Sequence, residues 1–158
     1  MRGTIAAMLA ALVGLAGCGG SGSTGGCPVT KSGGPTPPAD ALQNGGRAIA
    51  RASDPGWYGN GTLWTNLPWS TQFIRTPSGL LSTKIPWFRA RTGTVTVDGR
   101  PLHGPPARFT ANVGTPASYG PTGFSPSILA FGRTGCWVVH AHLHGKTLEV
   151  VLRVYPAS

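Results

Sequence analysis

One stretch near the C-terminus constrains the fold more than any other, residues 135–155, GCWVVHAHLHGKTLEVVLRVY. Apolar residues alternate along it on both sides of Gly145-Lys146, which predicts a β-hairpin with a type II′ turn, in which His144 faces Thr147. Alternation places every second side chain on the same side of a strand. One face is then entirely apolar, and we expect it to be core: Trp137, Val139, Ala141, Leu143, Leu148, Val150, Leu152 and Val154.

Short strands separated by turns are predicted for the rest of the body, because 25 Gly and 15 Pro leave little room for long helices. Strand patterns occupy 61–67, 71–76, 80–89, 109–113 and 127–131. A second hairpin is predicted over 93–102 with its turn at Asp98-Gly99, Pro86 predicts an edge strand or a bulge, and 114–126 predicts a long loop. The pattern favours an all-β fold, a small immunoglobulin-like β-sandwich that ends in the C-terminal hairpin, with a small β-barrel as the alternative.

The N-terminus has the organisation of a bacterial lipoprotein signal. Arg2 precedes the apolar run 5–13, which is too short to span a bilayer, and Leu15-Ala16-Gly17-Cys18 resembles a lipobox. We therefore expect residues 1–17 to be removed and Cys18 to carry the lipid, palmitate among its acyl chains. The protein would be extracytoplasmic and anchored to a bacterial membrane, either the outer membrane or the outer face of the cell membrane. An ordinary secretory signal with an incidental cysteine is the alternative.

Residues 18–41 are rich in Gly, Ser, Thr and Pro and have no hydrophobic period. Such a composition is typical of a flexible tether. The sequence therefore predicts a lipidated tether over 18–41 and a single β domain over 42–158.

Two cysteines remain if Cys18 is lipidated, and both would lie outside the cytosol. A disulfide between Cys27 and Cys136 is the natural expectation. The alternative is a free Cys27 with a small buried thiol at Cys136.

The formal net charge of +9 indicates which partners to expect. The basic residues are spread along the chain and form no Lys/Arg run, so we expect no nucleic-acid partner. An anionic envelope polymer or glycan fits a dispersed basic surface better.

The polar face of the C-terminal hairpin carries His140, His142 and His144. Two histidines spaced i, i+2 on a strand can chelate Zn²⁺ or Cu²⁺, and Glu149 lies across from His142 in the predicted register. The candidate metal ligands are therefore His140, His142 and Glu149, and no other cofactor is predicted. The alternative is an exposed polar face in which His142 and Glu149 simply pair.

No catalytic residues are predicted, since the chain shows no nucleophile elbow, no phosphate-binding Gly loop and too few carboxylates for glycoside hydrolysis. Asp98 in particular is assigned to a turn. Four tryptophans could instead form an aromatic platform for a glycan or peptide, although a buried core is the alternative for most of them: Trp57, Trp64, Trp69 and Trp87.

Five elements in order resemble a family of uncharacterised bacterial lipoproteins, which implies an extracytoplasmic β-domain without a known activity. They are Cys27-Pro28-Val29-Thr30, Lys84-Ile85-Pro86-Trp87-Phe88-Arg89, Gly99-Arg100-Pro101-Leu102, Tyr119-Gly120-Pro121-Thr122-Gly123-Phe124 and Gly135-Cys136-Trp137. Both Cys27 and Cys136 lie in these elements, which supports their pairing. The family usually has an acidic residue where this chain has Val138.

Together these features predict a lipid-anchored, non-catalytic envelope protein that acts as a binding or structural module. A metal-binding envelope protein that uses the histidine face is the alternative.

Overall fold

The computed structural model describes residues 26–67 and 73–156. The predicted signal peptide 1–17, the predicted lipidation site Cys18 and Trp69 lie outside the described residues. Within the described part of the chain, no helix is both long and apolar enough to cross a membrane.

Strands dominate the described residues, and helical structure is limited to a 3₁₀ turn at Ala39–Leu42 and one α-helical turn, α1, at Pro116–Tyr119. The strands are β1 (Gln43–Asn44), β2 (Arg47–Ala48), β3 (Trp57–Gly59), β4 (Leu63–Asn66), β5 (Ile74–Arg75), β6 (Leu81–Arg89), β7 (Thr96–Pro101), β8 (Phe109–Val113), β9 (Gly123–Phe131), β10 (Gly135–Leu143) and β11 (Lys146–Val154).

Two antiparallel sheets pack face to face as a sandwich. One has the strand order β3-β4-β6-β9-β8, with β5 added to β6, and the other has the order β11-β10-β7. If β4, β6, β7, β8, β9, β10 and β11 are labelled A to G, the sheets read A-B-E-D and C-F-G, which is the order of an immunoglobulin constant-type domain. The predicted all-β, immunoglobulin-like sandwich is confirmed. β3 extends the larger sheet beyond that order, and β1 pairs only with β2.

The apolar face of the C-terminal hairpin is core, as predicted. All eight of its residues are buried and join one hydrophobic cluster with side chains of the opposite sheet, among them Leu63, Trp87, Leu129 and Phe131. Such burial removes about 25 cal/mol of unfavourable hydration per Å² of apolar surface, so this face holds the two sheets together.

The hairpin turn differs from the prediction by one residue. Leu143 pairs with Lys146, so the central residues are His144 and Gly145 rather than Gly145 and Lys146. Both have positive φ, 49° and 71°, as a type I′ turn requires. The type I′ turn suits the right-handed twist of the strands, and the register moves by two residues, which leaves each side chain on its predicted face.

The predicted second hairpin over 93–102 is wrong. β7 runs straight through Asp98-Gly99 and pairs with β10, so that Asp98 lies opposite His140 and Gly99 opposite Val139. Gly99 is needed inside this strand because a Cβ there would lie 2.7 Å from the ring of Phe109. Asp98-Gly99 is therefore not a turn, and Gly99 is required by its packing against Phe109.

Pro86 lies neither at an edge nor at a bulge, because β6 pairs with β9 along its whole length and Pro86 faces Pro126. The carbonyl of Pro86 accepts a bond from Thr65 and that of Pro126 accepts one from Gly114, so both point away from the β6–β9 ladder. The missing N–H groups point the same way, and a central strand therefore tolerates both prolines. The predicted loop 114–126 is correspondingly shorter, since β9 begins at Gly123.

The segment that precedes the first strand lies against the domain from Cys27 onwards. Cys27 and Cys136 form the expected disulfide, Thr30 exchanges two hydrogen bonds with Val151 of β11 (2.8 and 2.9 Å), and Gly33 forms a bridge with Tyr58 of β3. The prediction of a flexible tether is therefore wrong for residues 27–41. The outer edges of β11 and β3 offer unpaired backbone groups, and this segment satisfies them despite its composition.

Candidate functional site

The histidine face lies on the outer side of the three-stranded sheet and includes a residue that the sequence prediction assigned elsewhere. Asp98, His140 and Glu149 form one row across β7, β10 and β11, and His142 pairs with Thr147 in the next row. The prediction that His142 lies across from Glu149 is therefore wrong, because the turn shifts the register by two residues. We call Asp98, His140, His142 and Glu149 the acid–histidine cluster.

All four ring nitrogens of the cluster have a partner. His140 contacts Asp98 through Nδ1 (3.2 Å) and Glu149 through Nε2 (3.0 Å). His142 contacts Asp98 through Nε2 (2.6 Å) and the Thr147 hydroxyl through Nδ1 (2.9 Å). Ionised carboxylates only accept hydrogen bonds, so His140 satisfies both of its neighbours only as the doubly protonated imidazolium. The cluster is a closed ion-pair network in that state.

The electrostatics of this network are clearest at Asp98. Hydrogen bonding from His142 lowers the pKa of the Asp98 carboxyl below its ordinary value, and hydrogen bonding from His140 acts in the same direction. Partial burial acts against them. The side chain of Asp98 is 62 % exposed, so solvent screening keeps the energetic value of these pairs small.

The cluster brings together the three predicted metal ligands His140, His142 and Glu149, but as partners of one another and of Asp98. A metal ion needs the lone pair of a ring nitrogen, and the contacts of His140 with two carboxylates use both of its nitrogens. Across the described residues, no group of three or more His, Cys, Asp or Glu side chains has an arrangement that could hold a metal ion. His144 lies apart from the cluster, and its Nε2 donates to the carbonyl of Thr92.

The predicted aromatic platform is wrong for the three tryptophans that the structure describes. Trp57, Trp64 and Trp87 are 9, 2 and 0 % exposed. Each indole N–H donates inside the domain, to Arg51 O, Pro35 O and Ser127 Oγ respectively. They are core residues, because a buried Trp needs only one partner for its N–H while its ring fills a large volume.

A pocket of about 600 Å³ opens at the end of the sandwich where three loops meet beside Thr62 of the β3–β4 turn. The loops are β6–β7, α1–β9 and the β10–β11 turn, which in immunoglobulin lettering are the B–C, D–E and F–G connections. Antibody variable domains carry their binding loops B–C and F–G at this end. We call it the loop-end pocket, and it is lined by Thr62, Ala90, Arg91, Thr92, Thr122, His144 and Lys146.

Arg89 holds two of these loops together from inside the domain. It is 0 % exposed, and its guanidinium donates to Gly93 O (2.6 Å) in the β6–β7 loop and to Gly120 O (2.9 Å) after α1. Longer contacts reach three further carbonyls, those of Thr122, Gly123 and Phe124. Burial lowers the pKa of the Arg89 guanidinium, but arginine keeps its charge in proteins, so a cation lies beneath the loops with carbonyl dipoles as partners.

The sequence prediction did not identify Arg89 or Asp98 as site residues, although both lie in stretches where inward-facing and outward-facing side chains alternate. Leu81, Thr83, Ile85 and Trp87 are buried on the face of β6 that alternation predicts, and Arg89 continues the same series. Val95 and Val97 face inward, so the same alternation places Asp98 on the outer face. For Arg91 and Lys146 no local signal exists, because the loop-end pocket forms only when distant loops meet.

In comparisons with known proteins, no family model, curated protein or solved structure matches the chain.

Proposed function

We propose that this protein is a lipid-anchored, non-catalytic binding module of the bacterial cell envelope, with the loop-end pocket as its binding site. The lipobox at Cys18 supports the anchor and the extracytoplasmic location. The five sequence elements shared with uncharacterised bacterial lipoproteins support the same assignment.

The observation that carries the proposal is the placement of the disulfide and the pocket at opposite ends of one strand. Cys136 lies at the start of β10, and the turn that lines the pocket follows the last residue of β10. Nine residues of strand separate the two ends by roughly 27 Å, taking a rise of about 3.4 Å per residue. A lipid at Cys18 would thus hold the domain by one end, and the pocket would face away from the membrane.

Metabolic labelling of the full chain in a bacterial host tests the anchor. Palmitate label should enter the wild-type protein and be lost after Cys18→Ala, and the wild-type protein should sediment with membranes. Cys27→Ser is the matched control, because that cysteine is not the predicted lipid acceptor and its label should persist. Label that still enters the Cys18→Ala protein would overturn the anchor.

A metal-binding envelope protein that uses the acid–histidine cluster is the second candidate function, and it requires the cluster to rearrange, because Asp98 occupies a ring nitrogen of both His140 and His142. Two imidazoles with one or two carboxylates form a donor set suited to Zn²⁺ or Cu²⁺, once the ion displaces the hydrogen bonds of the cluster. Calorimetry with each ion should show a heat of binding that vanishes in the His140→Ala plus His142→Ala variant. An unchanged heat in that variant would dismiss the site.

A further inference from the structure

The loop-end pocket is positively charged, and no carboxylate in the described part of the chain pairs with its cations. Arg91 and Lys146 are the cations that line the pocket, and none of its lining residues is acidic. Within the described residues all ion pairs are formed by histidine, and they occupy Asp98 and Glu149 in the acid–histidine cluster. Among the described residues, neither Arg91 nor Lys146 is therefore paired with a carboxylate, which leaves both available to bind an anion.

Arg89 strengthens this field and also gives the pocket a fixed shape. Its buried charge lies beneath the two loops that carry Arg91, Thr92 and Thr122. Charges in a poorly solvated interior are screened less than charges on the surface. Because the turn residue His144 is also bonded to Thr92 O, all three loops are tied to one another before any ligand arrives. A preorganised pocket loses less entropy on binding than a set of free loops.

The remaining lining residues indicate what carries the anion. Thr62, Thr92 and Thr122 supply hydroxyl groups, Ala90 is the one aliphatic side chain among the lining residues, and none of them is Trp, Tyr or Phe. The volume of about 600 Å³ lies within the usual range of small-molecule sites and exceeds what a single inorganic oxyanion needs. These groups suit a ligand that is polar and hydroxylated around its charge, as a sugar is.

We infer that the loop-end pocket binds a sugar that bears an oxyanion, a carboxylate or a phosphate, with Arg91 and Lys146 as the residues that hold the charge. This rests on the proposed function as a binding module and names its ligand class. Such a sugar can be a free sugar acid or sugar phosphate, or one unit of an anionic polysaccharide. The charged groups of the pocket are the same for each source.

Calorimetric titration of the full chain in a neutral detergent tests the inference. The probes are galacturonate, galactose 6-phosphate, neutral galactose and polygalacturonate. We expect at least one of the two charged monosaccharides to bind and galactose not to bind. The Arg91→Gln plus Lys146→Gln variant should bind the charged probe at least about tenfold more weakly, because two charge-assisted hydrogen bonds are lost.

Lys84→Gln plus Arg100→Gln is the matched control, since it removes two exposed cations that do not line this pocket and should leave binding within about twofold. Tighter binding of polygalacturonate per sugar unit assigns the ligand to a polymer, and equal binding assigns it to a free sugar acid. The inference is overturned if galactose binds as well as the charged sugars, if no charged sugar binds, or if the two double variants behave alike. The two experiments are independent. If no charged sugar binds but palmitate labelling depends on Cys18, the anchor is supported and the ligand class is wrong. If label persists after Cys18→Ala, the anchor is wrong and the sugar titration still tests the pocket.

Discussion

Arg89 is a buried cation whose partners are backbone carbonyls rather than carboxylates. A guanidinium can serve several carbonyl oxygens at once because its five N–H donors form a planar fork. Lysine has three donors at a single point and would not reach both the β6–β7 loop and the loop after α1. The residue therefore connects two loops that no strand pairing connects.

Arg89→Met should destabilise the domain by about 3 kcal/mol, because five backbone carbonyls, including the partly buried ones of Gly93 and Gly120, would lose a charged donor. Urea denaturation followed by tryptophan fluorescence measures this loss. Arg91→Met, two residues along the chain and exposed, is the matched control and should change the free energy of unfolding by less than about 0.5 kcal/mol. Equal effects of the two substitutions would show that Arg89 has no such role.

Ionisation of Asp98 makes the free energy of unfolding depend on pH. Its pKa is lower in the folded state than in the unfolded chain, chiefly through hydrogen bonding from His142, so the ionised form stabilises the fold. This contribution is complete above the unfolded pKa of about 4 and is lost as the pH falls through the folded pKa. Below about pH 4, the urea midpoint of the wild-type protein should therefore fall more steeply than that of Asp98→Asn.

His142→Gln should reduce the same acid-dependent loss, because it removes the largest cause of the shift. Urea midpoints between pH 7 and pH 2.5 measure both variants. Parallel curves for the wild-type protein and Asp98→Asn would rule out the contribution of this carboxylate.

The two strands of the β10–β11 hairpin were the most predictable elements of the fold, whereas the type of turn between them was predicted wrongly. Alternation over nine residues on each side fixes which face is buried, whereas the turn type depends on φ angles at two residues. Gly145-Lys146 fits a type II′ turn, but His144-Gly145 gives a type I′ turn with a twist that matches the strands. His tolerates positive φ better than most residues do, which the alternation does not reveal.

A pair of substitutions at His144 isolates the cost of its left-handed backbone. Both His144→Asn and His144→Val remove the imidazole bond to Thr92, so the difference between them reports on φ alone. Because a β-branched residue is strongly disfavoured at positive φ, the Val variant should be less stable than the Asn variant by about 1–2 kcal/mol. Unfolding free energies from urea titration give the difference, and equal stabilities would contradict the type I′ turn.

Loops and edges were harder to predict than strands for a physical reason. The alternation of Leu81 to Arg89 identified β6, but local sequence does not reveal that Gly99 lies under Phe109 or that Thr30 and Gly33 bond to the edges of two sheets. Contacts of this kind depend on residues distant in sequence. The histidines were predicted from sequence because they alternate along one strand. Their partner Asp98 and the loop-end pocket were not, because they depend on contacts between distant parts of the chain.

The whole molecule is an immunoglobulin-like sandwich closed by one long covalent loop. The Cys27–Cys136 bond joins residues 109 positions apart and brings the N-terminal segment to the start of β10. Cross-linking a loop of this length restricts the unfolded chain strongly in the chain-entropy model.

Removing this bond with Cys27→Ser plus Cys136→Ser should lower the free energy of unfolding by roughly 4–5 kcal/mol, if loop entropy dominates. Urea denaturation measures the change. Wild-type protein in excess reductant is the control and should unfold at the same midpoint as the double variant. A loss smaller than about 1 kcal/mol would mean that the bond does not restrict the unfolded chain.

The same bond decides how the domain carries mechanical load. A pull on the chain ahead of Cys27 passes through the sulfur atoms directly into β10, the central strand of its sheet. Residues 28–42 then bear little of the tension, so their hydrogen bonds to β11 and β3 cannot be peeled away one after another from the N-terminal side. Force therefore enters the sandwich at β10, and the contacts along the outer edges of β11 and β3 are not pulled directly.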